Sequence, residues 1–162
     1  MISREKCSIC GDLLVSPIGP LSSTILFVGD FPNQDDQKQG RAFAGKTGDI
    51  LKAELAKVGI QLSACRATNL WQHDKNEEKC KISWHMDTLA KEFKNKKYIL
   101  FMGSDVTQVF FAKSAVDLYG MKVKYPLIPD ATIYVSPNPA FLLHGPVGEF
   151  RLALKNFKES MK

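Results

Sequence analysis

The stretch that most constrains this chain is Thr24 to Gly45, TILFVGDFPNQDDQKQGRAFAG. Ile25, Leu26, Phe27 and Val28 form an apolar run short enough for a buried strand and too short for a core helix. Gly29 to Asn33 break the run with a Gly for free backbone geometry, a Pro, and an Asn that tolerates positive φ. A buried strand running into such a turn is where an open α/β sheet places its ligand, at the carboxyl ends of its strands. The remainder of the stretch reads as a polar loop, apart from the cassette Gly40, Arg41, Ala42, Phe43, Ala44, Gly45. Its lone aromatic between glycines either tucks into the core from a surface loop or is kept for a ligand.

Further parts of such a sheet come in order along the chain. In Asp49 to Val58 the apolar Ile50, Leu51, Leu55 and Val58 fall at helical spacing, and Gly59 is a C-cap candidate. Cys65 to Trp71, Tyr98 to Met102 and Thr132 to Val135 read as strands, and Met121 to Tyr125 alternates as an edge strand would. Ser104 is a suitable N-cap for a helix carrying Val106, Val109 and Phe110. His85 shares a helix stripe with Ile82, Leu89 and Phe93 and reads as structural. Phe150, Leu154, Phe157 and Met161 mark the buried stripe of a closing helix. The expected fold is a three-layer α/β/α sandwich around a mainly parallel sheet of about four strands. At 162 residues the chain is expected to form a single domain, 1–162.

No stretch approaches the roughly 20 apolar residues that span a bilayer, and no signal-peptide apolar region opens the chain. The expectation is an intracellular, cytoplasmic protein with no membrane partner. A net charge of +5 leans toward a polyanion. Four cysteines in a chain of this type argue for reduced thiols or metal ligands, not a disulfide framework. Cys7 and Cys10 form a C-x-x-C with Gly11 behind it, as in a tight metal-binding knuckle. The pair is either two free thiols in an N-terminal arm or half of a site completed from elsewhere in the chain. Cys65, at a strand start, fits a small buried apolar group. Asn69 is costly in a buried strand unless its amide is satisfied, by backbone groups or by a ligand. Asn138 and Pro139 suit a turn, with Leu142 and Leu143 either core residues or, beside a polar residue, part of a wedge suited to enter between base steps.

The order strand, G-D-F-P-N, polar loop, G-R-A-F-A-G-K-T-G resembles the first motif of the uracil-DNA glycosylase superfamily, closest to its iron–sulfur branch, family 4. The Thr68-Asn69 pair and the S-P-N-P-A-F-L-L-H segment resemble later motifs in the same order. The resemblance implies a domain that flips uracil or a related pyrimidine out of DNA and hydrolyses its N-glycosidic bond. On it, Gly29, Phe31, Phe43 and Asn69 would bind the base, with Phe43 stacking on the ring and Asn69 reading its edge. An amide suits that reading because it offers donor and acceptor side by side. Asp30 and Asn138 would carry the catalysis, each departing from the family, which has Glu and His there. Arg41, Lys46, Leu143 and His144 would contact DNA, His144 standing where the family commonly has an Arg.

The same resemblance implies a structural [4Fe–4S] cluster, with residues 1–22 as a metal-binding arm. Cys7, Cys10, His73 and Cys80 would ligate it, His73 occupying a family Cys position. Imidazole can replace thiolate on iron. Three Cys and one His also fit structural zinc, the alternative. A nucleoid-associated monomer, with a replication or repair protein as a further partner, completes the expectation. The competing one is an inactive descendant of the fold that binds DNA or docks on a protein.

Overall fold

Five strands form one sheet: β1 (Ile25–Gly29), β2 (Arg66–Asn69), β3 (Tyr98–Met102), β4 (Lys122–Val123) and β5 (Thr132–Ser136). Their order is β2-β1-β3-β5-β4, parallel throughout except for β4, which runs antiparallel on β5. The sheet exceeds the expected four or so strands by the Met121–Tyr125 edge, reduced to the two residues of β4. The helices are α1 (Gln34–Gln39), α2 (Lys46–Lys57), α3 (Ile82–Ala90), α4 (Ser104–Phe111) and α5 (Gly148–Glu159). This computed structural model describes residues 4–145 and 147–162. The first three residues of the 1–22 arm and Pro146 lie outside the described residues.

The central strands read as continuous apolar runs because both of their faces are covered. Alternation along β1 sends Leu26 and Val28 into one core with Leu89, Phe93, Ile99, Phe101 and Val106. Phe27 enters the other core with Leu51, Leu55, Leu100, Phe150 and Phe157. The three β1 side chains are fully buried, and burying such a side chain stabilises by about 1.5–3 kcal/mol. Phe27→Ala would leave a cavity costing about 3–5 kcal/mol.

The backbone corrects two local expectations. The polar segment after Pro32 contains α1, because Asn33 and Asp36 form a capping box. Asp36 N–H donates to Asn33 Oδ1 (2.9 Å), and Asn33 N–H donates to Asp36 Oδ2 (3.2 Å). Asn33 is therefore an N-cap at φ −84°, not a turn residue of positive φ. Ser104 does not cap α4 either: it is the first helical residue, after Gly103 at φ 144°. A carboxylate from the end of β1, that of Asp30, fills the capping place instead.

Parallel strands put their carboxyl ends on one edge of the sheet. Gly29 and Asp30, Asn69, Gly103, and Ser136 to Asn138 therefore leave the sheet along the same rim. β1 has β2 on one side and β3 on the other, which makes the rim beside it a switch point in strand order.

Candidate active site and metal centre

Gly29 and Asn69 lie opposite each other in the β1–β2 register. A Cβ on Gly29 would collide with Asn69 Oδ1 and stand 3.3 Å from Phe43 Cζ. Close approach, not backbone freedom, is what demands glycine here. Asn69 is buried. Its backbone carbonyl accepts from Gln72 Nε2 (2.7 Å), while its side-chain amide makes no hydrogen bond among the described residues. That amide is available to a ligand.

Phe43 sits at φ 54°, in the left-handed region, which costs a non-glycine residue about 1–2 kcal/mol. The surroundings enforce it. Ala44 N–H donates to Asp36 Oδ1 (2.8 Å), and Gly48 of α2 lies so close that a Cβ there would strike the Phe43 carbonyl. Asp36 is buried, and burial raises its carboxyl above the ordinary range against the pull of the Ala44 and Asn33 N–H groups. Asp36 is thus the clamp of this cassette, a role that sequence reasoning missed. Its one signal is the N-x-x-D spacing with Asn33.

Asp30 is buried, and its carboxylate turns under α4. Val106 N–H donates to its Oδ1 (2.9 Å) and Asn138 Nδ2–H donates to its Oδ2 (3.3 Å). A Cβ on Gly103 would occupy the same space as that carboxylate. Asp30 thus supplies the anion that the N-terminus of α4 favours. Burial raises its carboxyl above the usual range, with the Val106 and Asn138 bonds opposing. Asn138 is committed at both ends, since Ala140 N–H donates to its Oδ1 (2.9 Å) to cap the turn Pro139–Leu143. The second proton on Nδ2 makes no hydrogen bond among the described residues.

Around this rim, Phe31 is 43% exposed, and Arg41, Lys46 and His144 are exposed. Arg41 donates from Nη2 to Gln39 Oε1 (3.1 Å). The two leucines, readable either as core or as a wedge, separate: Leu142 packs partly buried against the α2–α5 core, whereas Leu143 is 40% exposed. Phe141, which the sequence does not single out, is 58% exposed beside it. α2 packs against this 139–143 turn, so the helix that begins at Lys46 backs the apolar tip.

The expected metal ligands converge. One donor atom from each of Cys7, Cys10, His73 and Cys80 lies within 4.8 Å of all the others, so the set can hold a metal ion. Cys7 Sγ is 3.6 Å from Cys80 Sγ, and Cys10 Sγ is 3.3 Å from His73 Nε2. The knuckle forms as the C-x-x-C-G spacing implies: Gly11 takes φ 82°, its N–H donates to the Cys7 carbonyl (2.9 Å), and Cys7 N–H donates to the Asp12 carbonyl (2.8 Å). Burial opposes the Cys7 thiolate, yet the Cys10 and Ile9 N–H groups, His73 and Cys80 bring its thiol down to about 7. Cys65 belongs to the opposite core, where it donates to the Gln61 carbonyl (3.3 Å) and burial pushes its thiol up to about 11. His85 is fully buried, as its helix stripe implies. It also reaches the ligand set, with Nε2 3.4 Å from Cys80 Sγ and 3.1 Å from His73 Nε2.

Among known proteins, the family model described as the uracil DNA glycosylase superfamily matches residues 16–161. No curated protein matches the chain. The matched range begins after Cys7 and Cys10, so the family match and the convergence of the four ligands are separate findings. Among the described residues, no helix is long and apolar enough to cross a membrane.

Proposed function

The chain belongs to the uracil DNA glycosylase superfamily, and from that premise we propose that it removes uracil, or a closely related pyrimidine, from DNA by hydrolysing the N-glycosidic bond. The observation that carries this reading is the convergence of Gly29, Phe43 and Asn69. A strained aromatic and an unengaged amide meet where a glycine has made room, which is what a base-selective pocket requires and a plain docking surface does not.

Removing a base requires it to leave the stack and enter such a pocket. Phe43 stacks on the flipped ring and Asn69 pairs with its edge. As the bond breaks, negative charge collects on the base and positive charge on the sugar, and groups aimed at those charges supply most of the rate. Asn138 offers its second Nδ2 proton to a carbonyl of the departing base. Asp30, one methylene shorter than the family's Glu, serves the sugar side. Arg41 and Lys46 meet phosphates. Phe141 and Leu143 form a wedge of the kind that enters between base steps.

The four-ligand site stabilises the arm 1–22 against the rest of a single domain. Resemblance to family 4 supports a [4Fe–4S] occupant; the three-Cys, one-His donor set supports zinc. The protein acts as a monomer, in the cytoplasm near its DNA.

One observation favours the second reading, an inactive DNA-binding module: both oxygens of Asp30 are engaged by Val106 and Asn138. Incubation with single- and double-stranded oligonucleotides bearing one uracil separates the two. Alkali-labile sites at the uracil support excision; binding without such sites supports the module.

A further inference from the structure

The four donor atoms are close together. A single ion with metal–sulfur bonds of about 2.3 Å places its sulfurs about 3.8 Å apart at the corners of a tetrahedron. The Cys7–Cys80 separation of 3.6 Å and the Cys10–His73 separation of 3.3 Å match edges of that size. A cubane distributes its ligands over four irons at separate corners and needs a wider cage than this one. The [4Fe–4S] cluster implied by the resemblance therefore does not fit these residues.

Two histidines compete for the nitrogen position, and their hydrogen bonds decide between them. His73 Nδ1 lies 2.7 Å from the Asp74 carbonyl. A carbonyl only accepts, so Nδ1 carries the proton and Nε2 keeps its lone pair, facing Cys10. His85 is held the opposite way. Gln72 N–H donates to its Nδ1 (3.0 Å), so the neutral ring carries its proton on Nε2. That N–H points at Cys80 Sγ (3.4 Å) and His73 Nε2 (3.1 Å). Once the His73 lone pair is on a metal, only the Cys80 sulfur remains as its acceptor.

We propose that Cys7, Cys10, Cys80 and His73 hold one tetrahedral zinc ion, and that His85 is a positioning residue donating from Nε2 to the Cys80 sulfur. Three thiolates on a dication leave one net negative charge in a buried site, and such a charge needs donors around it. The Cys10 and Ile9 N–H groups serve Cys7, and the Asp12 N–H serves Cys10. His85 completes the set at Cys80, which the C-x-x-C knuckle does not reach.

The test is independent of base excision. Aerobically purified full-length protein is measured for zinc, iron and acid-labile sulfide, and its cobalt-substituted form is examined by visible absorption. The expected result is colourless protein with one zinc per chain, and cobalt bands of a tetrahedral site with three thiolates. Brown protein with about four irons and matching sulfide overturns the proposal. His85→Phe, which keeps a buried ring without the N–H, should retain one metal per chain and the cobalt bands. Its zinc affinity should fall about 10–100-fold. His73→Ala should lose the stoichiometric metal. If His85→Phe loses the metal while His73→Ala keeps it, the two histidines are assigned the wrong way round and the proposal fails.

Discussion

Asn138 donates from Nδ2 to Asp30 Oδ2 across 3.3 Å, tying the loop after β5 to the loop after β1 through 108 positions of sequence. The two residues to which the resemblance assigns the catalysis are therefore hydrogen-bond partners of each other.

This pairing has a pH signature. Burial holds the Asp30 carboxyl above its ordinary range. A group whose folded pKa is raised contributes stability that is fully present below the unfolded pKa, about 3.9 for Asp, and is lost as pH rises through the folded value. Asp30→Asn does not titrate there. Thermal melts should show the variant gaining on the parent as pH rises from about 4, the unfolded value. A difference that stays constant over that rise would mean the carboxyl is not raised.

Phe43 separates strain from function. At φ 54° a glycine is relaxed and an alanine is not. Phe43→Gly should be more stable than Phe43→Ala by about 1 kcal/mol in denaturant unfolding, although both lack the ring. Both should also lose excision. Equal stabilities would indicate that the cassette relaxes out of the left-handed region.

Cys65 and Cys80 lie in opposite layers, so their replacements should differ in kind. Cys65→Ala should leave metal content unchanged and cost on the order of 1 kcal/mol. Cys80→Ala should release the metal. Metal analysis of both variants beside their melting curves checks this.

The strands and both layers are legible in the sequence because burial on two faces leaves long apolar runs, as at Leu26 to Val28 and Ile99 to Met102. The convergence of Cys7, Cys10, His73 and Cys80 is what the resemblance implies, yet what would single out His73 over His85 is not legible in the sequence. It depends on which ring nitrogen meets the Asp74 carbonyl and which meets the Gln72 N–H, and those are set by the folded geometry. Helix α1 escapes a hydrophobic-pattern reading because its residues are all polar; only the capping box betrays it. The capping of α4 by Asp30 is a contact over 76 positions that no local pattern carries.

Binding to DNA should weaken steeply with salt, because contacts to phosphate release counterions. Arg41→Ala and Lys46→Ala should each reduce the slope of log affinity against log salt by about 1, with little dependence on sequence. Fluorescence anisotropy over a salt series measures it. Slopes unchanged in both variants would remove them from the interface.

The rate of uracil release in single turnover, compared between the parent and Asn138→His, addresses the base-excision reading most directly. If the cluster of Gly29, Phe43 and Asn69 belongs to a glycosylase weakened at one donor, the parent cleaves slowly. Asn138→His should then raise the rate by up to about 10²–10³, and adding Phe43→Ala or Asn69→Ala should abolish it. Parent and Asn138→His both inert toward uracil, with DNA binding unchanged, would contradict the account.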